Sequence, residues 1–457
     1  MMTESQRAAL AEYAAVKGQC PARERLAALF DDGVYTETGS NLRAGENLAG
    51  VVTAYGYIGG TPAYAFSQDS TVMKGAVSLA HSAKICKMFE LAARNGVPVV
   101  GIYDSCGAFV EDGADALNAY SDILLSMGSL SGVVPMVSVI SGVCAGTMAM
   151  IASSADFSVI TEGAELYLDA SGNNASAESA AKSGAVSAYA KSDAEAMDTV
   201  RRYLSLMPQN NLSPLPEFEF DAPVSAAFEN AENAAESIAD AGSILEVYGE
   251  YGTASYTALC TVSGVTAGIA ATNKTKDKLT SADCSKIARF VRLCDAYSIP
   301  VITVADTEGF DLHGADMVRA GAALAGAYAE ASCAKIALVS GKACGMAYIA
   351  FAGRNVAADA VYALPEAVIA PMDPVSAAEF LYHDKLKGAD DLAAARAQIA
   401  KEYAENEGSA FAAAAKGAAD EVITAENVRA AVASVLDVTA GKRLNKRLPK
   451  KHNILPL

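Results

Sequence analysis

Apolar positions along this chain fall into short strand-like runs and longer helical ones, and the same succession of runs occurs twice. Residues 51–57 and 62–67 flank Gly59-Gly60, and adjacent glycines supply the positive φ of a tight turn, so a hairpin is predicted. A helical pattern over residues 75–95 follows, closed by Gly96, and the continuous apolar run 97–103 then reads as a buried strand. The second half repeats this order, with a hairpin near 258–271, a helix near 281–297 and a strand over 300–305. Helix, glycine and apolar strand in that order make an α/β layer.

The spacing of particular residues makes the repeat quantitative. Lys84-Ile85 is followed by Pro98 after 14 residues and Asp104 after 20; Lys286-Ile287 is followed by Pro300 and Asp306 at the same distances, an offset of 202. Gly113-Ala114-Asp115 answers Gly314-Ala315-Asp316, residues 142–146 answer 341–345, and Ala155-Asp156 answers Ala358-Asp359. A duplication of this size predicts two similar domains, and two related sites suggest a reaction between two substrates. The Ala/Ser/Gly-rich stretch 174–191 and the segment 208–216 read as irregular connectors, placing the boundary between 215 and 242; the domains are taken as residues 1–235 and 236–457. Residues 21–26 open a short amphipathic helix at a surface or interface, and after Pro371 the chain is Ala-rich and helical to about 441.

The 457 residues suit two domains better than one core. A composition of 52% hydrophobic and 19% charged residues points to large subunit contacts. A net charge of −18 argues against a nucleic-acid partner. Lys442, Arg443, Lys446, Arg447, Lys450 and Lys451 are the local exception, serving as a solvated tail, a phosphate contact or a contact with a neighbouring subunit. Nine cysteines without metal-type spacing indicate a reduced, cytoplasmic setting and no metal site, and the N-terminus does not read as a secretory signal. Residues 132–155 carry no charge, but Pro135, Gly142 and Gly146 divide them into a buried strand, a turn and a helix instead of a membrane span.

The usual catalytic side chains are scarce: four histidines, and no GxSxG, Walker loop or HExxH. Instead, small residues follow the buried strands at Cys106-Gly107-Ala108, Ala145-Gly146-Thr147, Glu308-Gly309-Phe310 and Gly345-Met346-Ala347. Such turns let backbone N–H groups converge on one oxygen atom. One turn alone would read as close helix-to-sheet packing; four in two matched pairs favour a pair of oxyanion holes.

Ala22-Arg23-Glu24-Arg25-Leu26, Tyr64-Ala65-Phe66-Ser67-Gln68-Asp69, Ala83-Lys84-Ile85-Cys86-Lys87, Asp104-Ser105-Cys106-Gly107-Ala108 and Cys144-Ala145-Gly146 resemble the carboxyltransferase component of biotin-dependent acyl-CoA carboxylases and decarboxylases. So do Ala288-Arg289-Phe290-Val291-Arg292, Gly309-Phe310, Ala327-Tyr328-Ala329-Glu330-Ala331, Lys342-Ala343-Cys344-Gly345 and the ending Lys450-Lys451-His452-Asn453-Ile454-Leu455-Pro456-Leu457, so the resemblance covers nearly the whole chain. It implies an α/β protein of two tandem crotonase-like (ClpP/crotonase) domains related by internal duplication. It also implies a homo-hexamer, a trimer of dimers, whose active site lies where the N-terminal domain of one subunit meets the C-terminal domain of another. On the same resemblance, the N-terminal domain holds the acyl-CoA thioester oxygen through amides of Gly107 or Ala108 with Gly146 and Thr147. The C-terminal domain holds the ureido oxygen of biotin through Gly309, Phe310, Met346 and Ala347, with Gly345 closing the hole.

The chain departs from the family pattern where Asp-Ser-Gly-Gly-Ala-Arg is usual and Asp104-Ser105-Cys106-Gly107-Ala108-Phe109 stands. Thr147 and Met346 replace the second glycine of each hole, and the stretch 166–175 is shortened. His313 reads as a group near the ligand or an exposed loop residue, Tyr348 as core in preference to a ligand-orienting group, and Asp104 and Asp306 as helix N-caps. The expected activity is exchange of a carboxyl group between carboxybiotin and a short acyl-CoA (propionyl/methylmalonyl or acetyl/malonyl). No biotin-attachment Met-Lys-Met or ATP-grasp signature is present, so the partners are a separate biotin carrier protein and a biotin carboxylase or membrane decarboxylase subunit. The direction of transfer is not encoded. Two alternatives stand beside this: a degenerate structural subunit, and a crotonase-type hydratase or isomerase using Glu111 and Asp112.

Overall fold

Each half of the chain builds its own sheet, because each supplies one hairpin and a series of apolar strands alternating with helices. The structure, a computed structural model, describes residues 2–169, 175–223, 226–275, 277–311, 316–354 and 356–442. It divides into two units, Met1–Pro214 and Leu215–Leu457.

In the first unit, α1 (Pro21–Leu29) begins on Pro21, whose missing N–H is no loss at a first helical position, and buries Ala22, Leu26 and Leu29. β1 (Tyr35–Thr38) pairs antiparallel with β2 (Val51–Ile58), which pairs antiparallel with β3 (Thr61–Gln68). Gly59 and Gly60 turn this hairpin at φ of 58° and 75°. α2 (Leu79–Asn95) is capped by the Ser78 side chain and stopped by Gly96 at φ 61°. Then come β4 (Val99–Ser105), α3 (Asp115–Leu130), β5 (Met136–Ala145), α4 (Thr147–Ser153), β6 (Phe157–Thr161), β7 (Glu165–Tyr167), β8 (Ala188–Ala190) and α5 (Asp193–Leu206). The sheet order is β1-β2-β3-β4-β5-β6-β8, parallel from β3 onward, and β7 runs beside the far end of β5.

The second unit repeats the plan. α6 (Ala231–Ile238) and β9 (Leu245–Glu246) precede the hairpin β10 (Tyr256–Val262) and β11 (Val265–Ala271), then α7 (Ser281–Ala296), β12 (Val301–Ala305), α8 (Met317–Glu330) and β13 (Lys335–Val339). β14 (Lys342–Cys344), α9 (Met346–Phe351), β15 (Ala360–Ala363), β16 (Val368–Ala370), β17 (Glu421–Val422) and α10 (Ala425–Thr439) follow. Its sheet runs β9-β10-β11-β12-β13-β15-β17, and β14 pairs with β16 just as the end of β5 pairs with β7. Each unit has an apolar core of its own: Phe66, Ile85, Phe89, Ile123 and Ile140 in the first, Ile238, Ile269, Ile302, Leu338 and Val432 in the second.

Several elements differ from the sequence expectation. α2 starts at Leu79 instead of 75, because residues 73–75 form a left-handed turn. The stretch 174–191 holds a helix, Ala177–Lys182, and the final strand β8, so it is part of the layer. The helix over residues 21–26 is anchored by its buried side chains. The uncharged segment 132–155 folds as β5 and α4, as Pro135 and its glycines indicate, and among the described residues no helix is long and apolar enough to cross a membrane. The tail residues Arg443, Lys446, Arg447, Lys450 and Lys451 lie outside the described residues. Lys442 is within them and pairs with Asp359 at 2.7 Å.

Candidate active site

In each unit a parallel strand ends in a loop beside the start of a helix that follows the next strand. This is the C-terminal edge where ligands of parallel α/β sheets bind. In the first unit Ser105 of β4 lies opposite Cys144 of β5, so residues 106–108 and the Gly146-Thr147 corner leave the sheet side by side. Gly146 sits at φ 65°, ψ −138°, and its N–H donates to the Tyr167 carbonyl of β7 at 2.9 Å. Gly345 sits at φ 54°, ψ −122°, and donates to the Ala370 carbonyl of β16 at 2.9 Å. Only glycine adopts this backbone cheaply, and it aims the next peptide out of the sheet.

The strand-end loops match as closely. Gly107 donates to Ser105 Oγ (3.2 Å) and Gly309 to Thr307 Oγ1 (3.1 Å), while their carbonyls accept from Val77 and Leu279 (2.9 and 3.0 Å). Of the predicted site residues, Gly107, Gly146, Gly309 and Gly345 therefore have their own amides engaged. Among the described residues, the N–H groups of Ala108 and Phe310 have no partner. Thr147, Met346 and Ala347 carry first-turn amides that the helix leaves unpaired. Ala108 and Thr147 are exposed; Phe310 is buried, its ring 6.2 Å from that of Phe351 on α9. Met346 is 44% exposed, with its methyl against Gly321 of α8.

Asp104 and Asp306 are not helix caps, as expected from sequence, but braces for these loops. The Asp104 amide donates to Gln68 Oε1 (3.0 Å), and its carboxylate accepts from Arg25 Nη1 (2.9 Å) and Ser70 Oγ (2.8 Å). Arg25 also donates to the Ser141 carbonyl and pairs with Asp193, tying α1 and α5 to the sheet edge. The Asp306 amide donates to Thr272 Oγ1 (2.9 Å), and its carboxylate accepts from the Lys342 amide (2.9 Å) and Asn273 Nδ2 (3.2 Å). Both carboxylates lie directly over a glycine: a Cβ on Gly142 would stand 2.3 Å from Asp104 Oδ1, and one on Gly341 would stand 2.2 Å from Asp306 Oδ1. Behind Gln68, the fully buried His81 shares a 3.2 Å hydrogen bond with it, and burial pushes the imidazole down to about 3, so it stays neutral.

The repeat-marking lysines are structural. Lys84 donates to the Val51 carbonyl, and Lys286 to those of Gly252 (3.3 Å) and Ser255 (2.8 Å); burial pulls each ammonium down to about 8. Tyr348 donates to the Ala418 carbonyl at 2.7 Å, an anchoring role. Asp112 accepts from the Leu79 amide at the start of α2, and Glu111 is exposed. His313 lies outside the described residues. A charged rim distinguishes the second site: Lys342 pairs with Glu308 at 2.7 Å and with Asp373.

Residues 14–455 match the carboxyl transferase domain family. The sequence is 33% identical to methylmalonyl-CoA decarboxylase subunit alpha of Propionigenium modestum, over 96% of this chain and 94% of that protein. It is 33% identical to the methylmalonyl-CoA carboxyltransferase 12S subunit of Propionibacterium freudenreichii subsp. shermanii, over 96% and 92%. It is 31% identical to the propionyl-CoA carboxylase beta chain of Cereibacter sphaeroides, over 96% and 94%. Among solved structures, the transcarboxylase 12S hexamer core with methylmalonyl-coenzyme A and methylmalonic acid bound is similar, with a TM-score of 0.90 and 32% identity, covering 100% of this chain and 99% of that one.

Proposed function

From its membership of the carboxyl transferase family, to which the chain belongs, we propose that it moves a carboxyl group between carboxybiotin and propionyl- or methylmalonyl-CoA through two backbone oxyanion holes, one in each unit. The protein is an acyl-CoA carboxyltransferase of the biotin-dependent carboxylase and decarboxylase group, and its relatives act on methylmalonyl-CoA and propionyl-CoA. The observation that carries the reading is the matched pair of amides without a partner among the described residues, Ala108 with Thr147 and Phe310 with Met346: Ala108 and Phe310 follow glycines at φ 119° and 103°, Thr147 and Met346 follow glycines at φ 65° and 54°.

Biotin, borne on a separate carrier protein, supplies the nitrogen that holds the mobile carboxyl group. The chain's part is electrostatic. When the acyl α-carbon gains or loses a carboxyl group, negative charge develops on the thioester oxygen; the Ala108 and Thr147 N–H groups are fixed to receive it. Phe310 and Met346, with Ala347 behind, do the same for the ureido oxygen. One such donor is worth roughly 2.7–4 kcal/mol of transition-state stabilisation. No side-chain nucleophile is required, which fits a site built from glycine, alanine, threonine and methionine. The first unit thus forms the acyl-CoA side and the second the biotin side. The protein assembles as a hexamer, as the 12S transcarboxylase does, and works with a biotin carrier and with a biotin carboxylase or a membrane decarboxylase subunit. The test supplies free biotin and methylmalonyl-CoA: appearance of propionyl-CoA dependent on biotin is expected, and no turnover of any short acyl-CoA would overturn the proposal.

A further inference from the structure

The turn that precedes α2 is bent in an unusual way. Met73, Lys74 and Gly75 hold φ of 49°, 53° and 67° in succession, and two of the three are not glycine. A side-chain-bearing residue in this left-handed region is strained, because its Cβ crowds the following carbonyl oxygen. Such strain persists where the surroundings hold it in place, and it gathers at functional sites. Here the holding contacts are visible. The Lys74 carbonyl accepts from the Cys106 amide at 3.1 Å, the Val77 amide donates to Gly107, and the Phe109 amide donates to Val77. Gly75 presses so closely on β4 that a Cβ on it would stand 2.1 Å from the Asp104 carbonyl. The turn is therefore stitched, residue against residue, to the loop that ends in Ala108.

Lys74 itself is exposed, and among the described residues its ammonium makes no ion pair. The carboxylates of Asp104, Asp69 and Asp112 have partners of their own: Arg25 and Ser70 for Asp104, Thr71 for Asp69, and the Leu79 amide for Asp112. In a chain of net charge −18, this cation stands on a strained turn whose backbone is hydrogen-bonded to the loop that carries the candidate donor Ala108. We propose that Lys74 pairs with the free carboxylate of the acyl group, so that the first unit distinguishes a carboxylated acyl-CoA from its uncarboxylated counterpart. This rests on Ala108 and Thr147 holding the thioester oxygen. The carboxylate of a malonyl-type thioester lies two carbons from that carbonyl, within reach of a flexible four-carbon stem rooted next to Cys106. The phosphates of coenzyme A lie the length of the pantetheine arm away. Lys74 acts as a positioning and specificity residue; the amides retain the chemistry.

The test measures equilibrium binding of methylmalonyl-CoA and of propionyl-CoA to the full-length protein. Lys74→Gln is expected to weaken methylmalonyl-CoA about tenfold, the worth of one charge-assisted hydrogen bond, and to leave propionyl-CoA unchanged. Lys74→Arg should retain most of the preference. Lys74→Gly, which relieves the strained backbone and so should fold at least as well, should lose the preference as the glutamine variant does. Equal weakening of both thioesters would move the contact to the coenzyme phosphates and overturn the proposal, as would no change in either. Wild-type protein that binds neither thioester would sink the reading of the site as well, so the two failures are told apart.

Discussion

Replacing Gly146 by alanine isolates the central geometric feature of the first site. Its φ of 65° and ψ of −138° are open to glycine and strained for any other residue, while an added Cβ would meet nothing within 4 Å. The penalty is thus conformational, about 1–3 kcal/mol, without a packing clash. The chain can relieve it only by rotating about Gly146, which turns the 146–147 peptide and swings the Thr147 N–H off its present direction. Loss of one oxyanion donor lowers kcat by about 10²–10³. Steady-state kinetics with methylmalonyl-CoA and free biotin, alongside urea unfolding, read both effects. Gly163→Ala is the control, since Gly163 has φ of 82°, an equally open surround and no place in the site; it should show a comparable stability loss with kcat intact. If Gly146→Ala lost the expected stability yet kept full kcat, the Thr147 amide would not be a donor and the reasoning would fail.

Three further outcomes follow from the same structure. Gly345→Ala, whose Cβ would stand 3.0 Å from the Pro371 carbonyl, should reduce turnover with free biotin while acyl-CoA binding is unchanged; weakened acyl-CoA binding would reverse the assignment of the two units. Gly142→Ala pushes Asp104 off the strand and away from Arg25, so a loss of about 1–3 kcal/mol from overpacking is expected in denaturant titration, with reduced turnover, and an unaffected variant would show that the brace does not hold the loop. Burial lowers Lys286 from 10.5 to about 8, so between those values the folded chain holds fewer protons than the unfolded one, and this group's contribution to stability rises with pH by about 3 kcal/mol. Burial raises the thiols of Cys144, Cys260, Cys284, Cys294 and Cys333, which act in the opposite sense above about pH 9. The lysine is therefore read from the difference between Lys286→Met and wild type, which should favour the variant at pH 7 and shrink toward pH 10; a constant difference would contradict it.

Much of the layer architecture was legible because it is local. Gly59-Gly60, Gly96 and the continuous apolar runs are short-range signals, and the 202-residue offset repeats the order of the runs. The start of α2 was misplaced because no propensity points to a lysine in left-handed backbone; contacts with Asp104 and Cys106 impose it. β8 was missed since three small and aromatic residues in an Ala/Ser-rich stretch show no period. The role of Asp104 depends on Arg25, 79 residues away, that of Asp306 on Asn273, 33 residues away, and both on a glycine opposite, none of which is a local signal. Which amides stay free was partly readable: Ser105 and Thr307 each stand two residues before a glycine, the spacing at which a hydroxyl accepts from a backbone N–H, leaving the following residue as the open donor. That the two marker lysines are buried was not readable, because a lysine on an amphipathic helix ordinarily faces water.

The most direct measurement is a structure of the protein with methylmalonyl-CoA and biotin bound. The account expects the thioester oxygen about 2.7–3.1 Å from the nitrogens of Ala108 and Thr147, and the ureido oxygen at a similar distance from those of Phe310 and Met346. Either oxygen held instead by side chains, with these four amides facing solvent, would contradict it.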